Sequence, residues 1–234
     1  MHPAARDGLQ ASLQHPDRLR RRARAGPGEA LLIRGAIVAG GDAHRFEGRP
    51  KGLEVVGEER ILDRLVGVMT AALGAPPLLV ANSPDAPLWR PDLRVVKDVR
   101  AGAGSLGGIY TAVIEAPAPV VCVAWDMPFV SPALLAALAH RLENHDAVLP
   151  ESGGPRRVEP LCAAYGPGCR KAIADSLDAG DLRAVGFHPR ITIGILPLAD
   201  VLRFGDPALL FFNVNTADDL ARANELWRRH GSSP

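Results

Sequence analysis

The sequence predicts an α/β fold built on a mostly parallel sheet. Three observations predict it. From Leu31 onward, short apolar runs alternate with segments of helical period, the pattern of strands joined by helical crossovers. One run, Val120 to Trp125, is apolar without alternation, as in a strand buried on both faces of a parallel sheet. Several runs also end in a polar residue or a glycine pair, and ligands of open parallel sheets sit at the carboxyl ends of the strands.

The first strand expected is Ala36–Ala39, stopped by Gly40-Gly41. Residues 61–73 then set Ile61, Leu62, Leu65, Met69 and Leu73 on one helical stripe. Leu78-Leu79-Val80 reads as a strand before Asn82, and Arg94-Val95-Val96 as another before Asp98. Residues 105–115 space Leu106, Ile109, Tyr110, Val113 and Ile114 for a helix. The buried strand Val120–Trp125 ends at Asp126. Ser131-Pro132 starts the next helix, with serine as N-cap and proline at the first helical position; Leu134, Leu135, Leu138 and Leu142 form its stripe. Val148-Leu149 and Leu161–Tyr165 read as later strands, with a helix over 168–178 that turns Ile173 and Leu177 inward. Phe211–Val214 reads as a short strand, and Thr216 caps a last helix with Asp219 three residues on.

Composition bounds the function. The 234 residues fit one domain, or one with a small appendage. The 27 basic and 26 acidic side chains leave a formal charge of +1, which argues against a nucleic-acid-coating surface. Apolar stretches reach about six residues where a membrane-spanning helix needs about twenty. Cys122, Cys162 and Cys169 form no pairing framework and no zinc signature, so a reducing cytoplasm is expected, with Cys122 a small buried hydrophobe. Residues 1–30 differ from the rest: Arg6, Arg18, Arg20, Arg21, Arg22 and Arg24 stand among few apolar side chains. They read as a disordered or partly helical extension to a domain over 31–234, with a transit peptide or an arm for an anionic partner as alternatives.

The chemistry gathers at the strand ends. The loop from Gly40 to Gly52 holds four glycines with Arg45, Arg49 and Lys51. Glycines let backbone N–H groups approach an anion and the cations neutralise it, although the spacing is not that of a Walker A loop. Asp126 is set at the sheet edge by the buried strand before it, and Met127-Pro128 turns the chain away. Asn82 and Asp98 can each be read as a turn or loop residue. Gly102 to Gly107 matches GxGxxG, but Asp98 and Arg100 stand between strand and glycines, and a dinucleotide fingerprint turns directly off its strand. The seven histidines have no metal-ligand spacing, and nothing favours a serine or cysteine nucleophile.

Taken in order, VAGG at 38–41 with Arg45 and Lys51-Gly52 after it, GSLGG at 104–108, WDMP at 125–128 and FFNVNTADDL at 211–220 resemble the molybdenum cofactor guanylyltransferases. The resemblance covers nearly all of 35–228. It implies a Rossmann-like nucleotide-binding three-layer sandwich that joins GMP from GTP to the terminal phosphate of molybdopterin, releasing pyrophosphate and using Mg²⁺. It implies that Val38, Ala39 and Gly40 line the guanine nucleotide, with Gly41, Gly107 and Gly108 in the same nucleotide-binding set. Lys51 would sit on the phosphates, Asn82 and Asp98 in the nucleotide pocket, Asp126 on the magnesium, and Asn213 and Asn215 against the pterin. Molybdoenzyme-maturation proteins are the implied partners.

Charge supports the same roles. Two phosphates brought together repel, and Lys51, Arg45 and a magnesium ion on Asp126 would supply positive charge where negative charge accumulates. Magnesium usually takes one or two carboxylates, with phosphates and water filling the rest, so a single aspartate is adequate. The chain departs from the family at Phe46-Glu47, usually Met-Gly, at Pro50, often Asp, and at Ser105, often Pro. Pro-Lys occurs in cytidylyl relatives, so a cytidylyltransferase of the same architecture is the alternative. A non-catalytic cofactor-binding adaptor, its phosphate loop spoiled by Glu47, is the second.

Overall fold

The computed structural model of the chain describes residues 33–40, 50–154 and 157–230. The expectations for the arginine-rich extension at 1–30, and for Gly41, Arg45, Phe46 and Glu47, lie outside the described residues.

Strand β1 (Arg34–Ala39) is followed, after a 3-10 turn at Lys51–Leu53, by a small antiparallel ribbon of β2 (Val55–Val56) and β3 (Glu59–Arg60). Next come helix α1 (Ile61–Leu73), strand β4 (Leu78–Ala81), the single turn α2 (Ala86–Trp89), strand β5 (Val95–Val96) and helix α3 (Gly104–Glu115). Strand β6 (Val120–Ala124), helix α4 (Pro132–Arg141), strands β7 (Ala147–Pro150) and β8 (Cys162–Tyr165), and helix α5 (Cys169–Asp178) continue the alternation. The chain finishes with β9 (Ile193–Leu196), the single turns α6 (Leu198–Val201) and α7 (Pro207–Leu210), and the long helix α8 (Ala217–His230).

The seven-stranded sheet has the order β5-β4-β1-β6-β8-β7-β9. The β5–β4, β4–β1, β1–β6 and β7–β9 pairs are parallel, and β8 runs antiparallel to both its neighbours, β6 and β7. Side chains alternate across this sheet, as the pleat requires. Ile37, Leu79, Val121 and Val123 join Ile61, Leu62, Leu65, Leu134 and Leu138 of α1 and α4 on one face. Ala36, Val38, Val80, Val120 and Cys122 join Leu106, Ile109, Ala172 and Ile173 of α3 and α5 on the other. The expected three-layer α/β architecture with a mostly parallel sheet is therefore the one adopted. Strand β6 is buried along its whole length, and each buried Val in it contributes about 1.5–3 kcal/mol over an exposed one.

The helix caps follow the sequence. The Leu134 N–H donates to Ser131 Oγ at 3.2 Å, and Thr216 and Asp219 close a reciprocal capping box at α8: Asp219 N–H to Thr216 Oγ1 at 3.1 Å, Thr216 N–H to Asp219 Oδ2 at 2.9 Å. One expected element does not form. Phe211–Val214 is not a strand, because its N–H groups are taken locally: Phe211 donates to the Pro207 carbonyl and Phe212 to that of Leu209. The Val214 N–H reaches the Asp126 carbonyl at 2.9 Å instead of joining a ladder.

Candidate active site

After β1 the chain builds β4 and β5 to one side of it, then crosses to β6 on the other. That reversal opens a crevice between the carboxyl ends of β1 and β6, where open α/β sheets bind ligands. A cavity of about 670 Å³ lies there. Val38 and Gly40 line it from the end of β1 and just after it, Ala124 to Met127 from the last residue of β6 and the turn that follows, and Ser105 from the first turn of α3. Glu159 and Leu161 come from the segment before β8, Phe211, Asn213 and Asn215 from the segment before α8, and Lys51 from the 3-10 turn. With Ser105 at its rim, the positive end of the α3 dipole faces the cavity, a favourable place for an anion.

Lys51 and Asp126 thus reach one cavity from separate segments of the chain, the turn after β1 and the end of β6. Lys51 is only 8% exposed, and its ammonium donates to Asn215 Oδ1 at 2.8 Å. The turn that carries it is seated on Trp125. A Cβ at Gly52 would stand 2.5 Å from Trp125 Cε3, so the residue after the lysine has to be glycine for the turn to lie flat on the indole. Trp125 in turn stacks on Trp89, ring centroids 5.3 Å apart. The strand-end tryptophan is therefore the floor on which the lysine turn rests.

Asp126 follows directly, fixed through its main chain by Val214. Its Oδ1 is buried and has no hydrogen-bond partner. Burial pushes the carboxyl above the usual carboxylate range, and the nearby Lys51 charge pulls it partly back. A buried, unpartnered carboxylate oxygen in a polar cavity is unfavourable by itself and calls for a cation. A hard oxygen donor of this kind suits a divalent ion such as magnesium. No group of three or more His, Cys, Asp or Glu side chains among the described residues could hold a metal, so substrate oxygens and water would have to complete the coordination.

The other expected site residues divide. Val38, Gly40, Asn213 and Asn215 line the cavity. Asn213 donates its side-chain N–H to the Phe211 carbonyl at 2.9 Å, while Asn215 turns to Lys51. Ala39, Asn82, Asp98, Gly107 and Gly108 are not among the lining residues. Asn82 and Asp98 bond to each other across the ends of β4 and β5. The Asn82 side-chain N–H donates to Asp98 Oδ2 at 2.7 Å, and the Asp98 backbone N–H returns to Asn82 Oδ1 at 2.9 Å. Gly108 packs on Val38: a Cβ there would meet Val38 Cγ1 at 2.3 Å. Arg45 and Gly41 lie outside the described residues. The cysteines offer no nucleophile. All three are buried, and burial raises each thiol, Cys169 to about 12.

Sequence reasoning passed over Glu159, Trp125 and the Lys51–Asn215 contact. The signal for Glu159 was weak: an acid before Pro160-Leu161, at the foot of a strand. In the fold its Oε1 accepts the Leu161 N–H at 3.1 Å at the cavity wall.

A family model of the MobA-like NTP transferase domain matches residues 35–190. A probable molybdenum cofactor guanylyltransferase from Pelotomaculum thermopropionicum is 34% identical over 197 residues, which span 84% of this chain and 94% of that relative. A molybdenum cofactor guanylyltransferase from Desulfosudis oleivorans is 29% identical over 195 residues, 82% of this chain and 94% of the relative. Among solved structures, molybdopterin-guanine dinucleotide biosynthesis protein A from Archaeoglobus fulgidus is similar with a TM-score of 0.71 and 23% identity, over 84% of this chain and 99% of that one. The last likeness bears on the fold.

Proposed function

The chain belongs to the MobA-like NTP transferase family, and from that premise we propose that it transfers GMP from GTP to the terminal phosphate of molybdopterin, releasing pyrophosphate. The observation that carries the reading is the meeting of the Lys51 ammonium and the unpartnered Asp126 carboxylate oxygen in one cavity at the sheet's switch point. Both belong to a reaction that brings two polyanions together.

In that reaction an oxygen of the acceptor phosphate attacks the α-phosphorus of GTP. The new P–O bond forms as the bond to the bridging oxygen breaks, and pyrophosphate leaves with that electron pair. The acceptor's own phosphate is the nucleophile, so no activated side chain is required. Lys51 neutralises the triphosphate as charge shifts to the leaving group, and its low exposure strengthens that interaction over its value in water. Arg45 adds a second cation from the glycine loop. Asp126 would hold Mg²⁺, which supplies electrostatic clamping of the phosphates when bound. Val38 and Gly40 let the nucleotide lie against β1, and Asn213 offers an amide to the pterin. The reading assigns the reaction to the cytoplasm, with molybdoenzyme-maturation proteins receiving the product. No helix among the described residues is long and apolar enough to cross a membrane.

The test is pyrophosphate release from GTP or CTP with Mg²⁺ and molybdopterin. We expect release with GTP, abolished in Asp126→Ala and strongly reduced in Lys51→Ala, with the circular dichroism of both variants unchanged. Release with CTP alone would remove the guanylyl assignment. Full activity in Asp126→Ala would remove the metal role.

A further inference from the structure

We propose that Asn215 is a positioning residue for Lys51, so that it serves the nucleotide half of the reaction instead of contacting the acceptor. The inference rests on the guanylyl transfer proposed above and deepens it. Resemblance alone puts Asn215 against the pterin. The structure gives its side-chain oxygen a different partner, the Lys51 ammonium at 2.8 Å.

The chemistry of that contact is particular. A lysine ammonium can only donate, so the amide must turn its oxygen toward it. Lysine carries a flexible four-carbon stem, and a free ammonium samples many rotamers. One fixed acceptor narrows that spread. A neutral acceptor does so without cancelling the charge, which a carboxylate in the same place would do. An amide is therefore the side chain that can aim a phosphate-binding lysine and leave it cationic.

Asn215 is itself held from both sides. Its backbone N–H donates to Asp219 Oδ2 at 3.0 Å, inside the capping box that starts α8. One residue earlier, the Val214 N–H holds the Asp126 carbonyl at 2.9 Å. Residues 214–216 thus form a strap between the cationic and the carboxylate poles of the cavity. Helix α8 is anchored further along by a second asparagine. The Asn224 Oδ1 accepts the Gly57 N–H at 2.9 Å, and its Nδ2 donates to the Val55 carbonyl at 3.3 Å. That amide ties α8 to the ribbon just after the lysine turn. The strap and the turn are consequently tied to the same elements, and these contacts oppose movement of the Asn215 oxygen away from Lys51.

The test uses the full chain. The affinity for GTP with Mg²⁺ is measured without acceptor, by displacement of a fluorescent GTP analogue, and KM is measured for each substrate. Asn215→Ala should weaken GTP binding about tenfold, the scale of one hydrogen bond to a charged group, with the acceptor KM within twofold of wild type. Asn215→Asp should weaken it more, since it neutralises the lysine. In a Lys51→Ala background, Asn215→Ala should add almost nothing, the mark of a residue that acts through the lysine. Thermal melts check that each variant is folded. Unchanged GTP affinity with a raised acceptor KM would overturn the proposal, as would losses that simply add in the double variant. If the wild type takes CTP and not GTP, the guanylyl reading fails, and the same comparison run with CTP still decides the role of Asn215. If neither nucleotide binds, both fall together.

Discussion

Gly108→Ala puts a methyl group where Val38 already stands. The added Cβ would lie 2.3 Å from Val38 Cγ1, well inside contact distance, with Val38 Cβ at 3.7 Å and Cγ2 at 3.8 Å. Two effects compete. Alanine in a helix interior is better than glycine by about 0.8–1 kcal/mol. Overpacking a tight core costs about 1–3 kcal/mol. Which wins depends on whether Val38 can move. It is β-branched, with restricted χ1, and it sits on a strand paired on both sides, to Val80 and to Ala124. The steric cost should win, leaving a net loss of about 1–2 kcal/mol and a Tm lowered by about 2–4 °C per kcal/mol in a domain of this size. Val38→Ala alone should lose roughly 2 kcal/mol by removing buried methyl groups.

The double variant separates the mechanisms. With Val38 shortened, the clashing Cγ1 is gone and the nearest contact becomes the Cβ at 3.7 Å, an ordinary van der Waals distance. Gly108→Ala in that background should then be neutral, or stabilising by up to about 1 kcal/mol, giving a favourable coupling of about 2 kcal/mol. Urea unfolding followed by circular dichroism, on the wild type, both single variants and the double, measures it. Gly108→Ala that stabilises the wild type, or two effects that add, would refute the packing argument and return Gly108 to a role in ligand approach.

Two further outcomes follow from buried polar groups. Asp126→Asn, melted in EDTA, should raise the Tm by about 2–4 °C, because the amide carries no charge to desolvate and Lys51 keeps the Asn215 oxygen; Mg²⁺-dependent turnover should be lost in the same variant, and a lower Tm would show that the carboxylate is satisfied without a cation. His188 is pushed down to about 4 by burial, and its Nε2 has no partner. The ring is neutral in both states above the ordinary value of 6.5. As pH falls from 6.5 toward 4 the unfolded chain takes up the proton first, so stability is lost across that window. The displacement sets a ceiling of about 3 kcal/mol, and since the ring is partly open to solvent roughly 1 is expected. Urea melts at both ends of the window should show a smaller acid loss in His188→Phe than in the wild type, and equal losses would exclude the histidine.

Much of this fold was legible because burial on both faces leaves a plain signature. Strand β6 is a continuous apolar run, and the stripes of α1 and α4 are the residues that pack against the sheet. Strand direction was not legible. Cys-Ala-Ala-Tyr in β8 has the same short apolar composition as a parallel strand, and its reversal is set by the connection from β7. The short β2–β3 ribbon and β9, whose Ile195 is exposed, fell below what periodicity can detect. At Phe211–Val214 the composition suggested a strand where the chain instead spends its N–H groups on turns and on Asp126.

The site was legible to the degree that a residue's job follows from its own position. Lys51 in a glycine loop and Asp126 after a buried strand needed no knowledge of partners, and both reach the cavity. A glycine or an amide is ambiguous in a way that a strand-end carboxylate is not. Glycine permits close approach by a phosphate or by a neighbouring methyl group, and only the packing separates them; at Gly108 the neighbour is Val38. An asparagine can meet a ligand, a backbone or a side chain. Asn82 closes on Asp98, Asn213 on the Phe211 carbonyl, Asn224 on the ribbon and Asn215 on Lys51. The cavity is therefore organised by contacts between residues far apart in sequence, 164 positions in the case of Lys51 and Asn215. A motif read along the chain can find the charged groups of the cavity, but the neutral groups that contact them become visible only when distant segments of the chain are brought together.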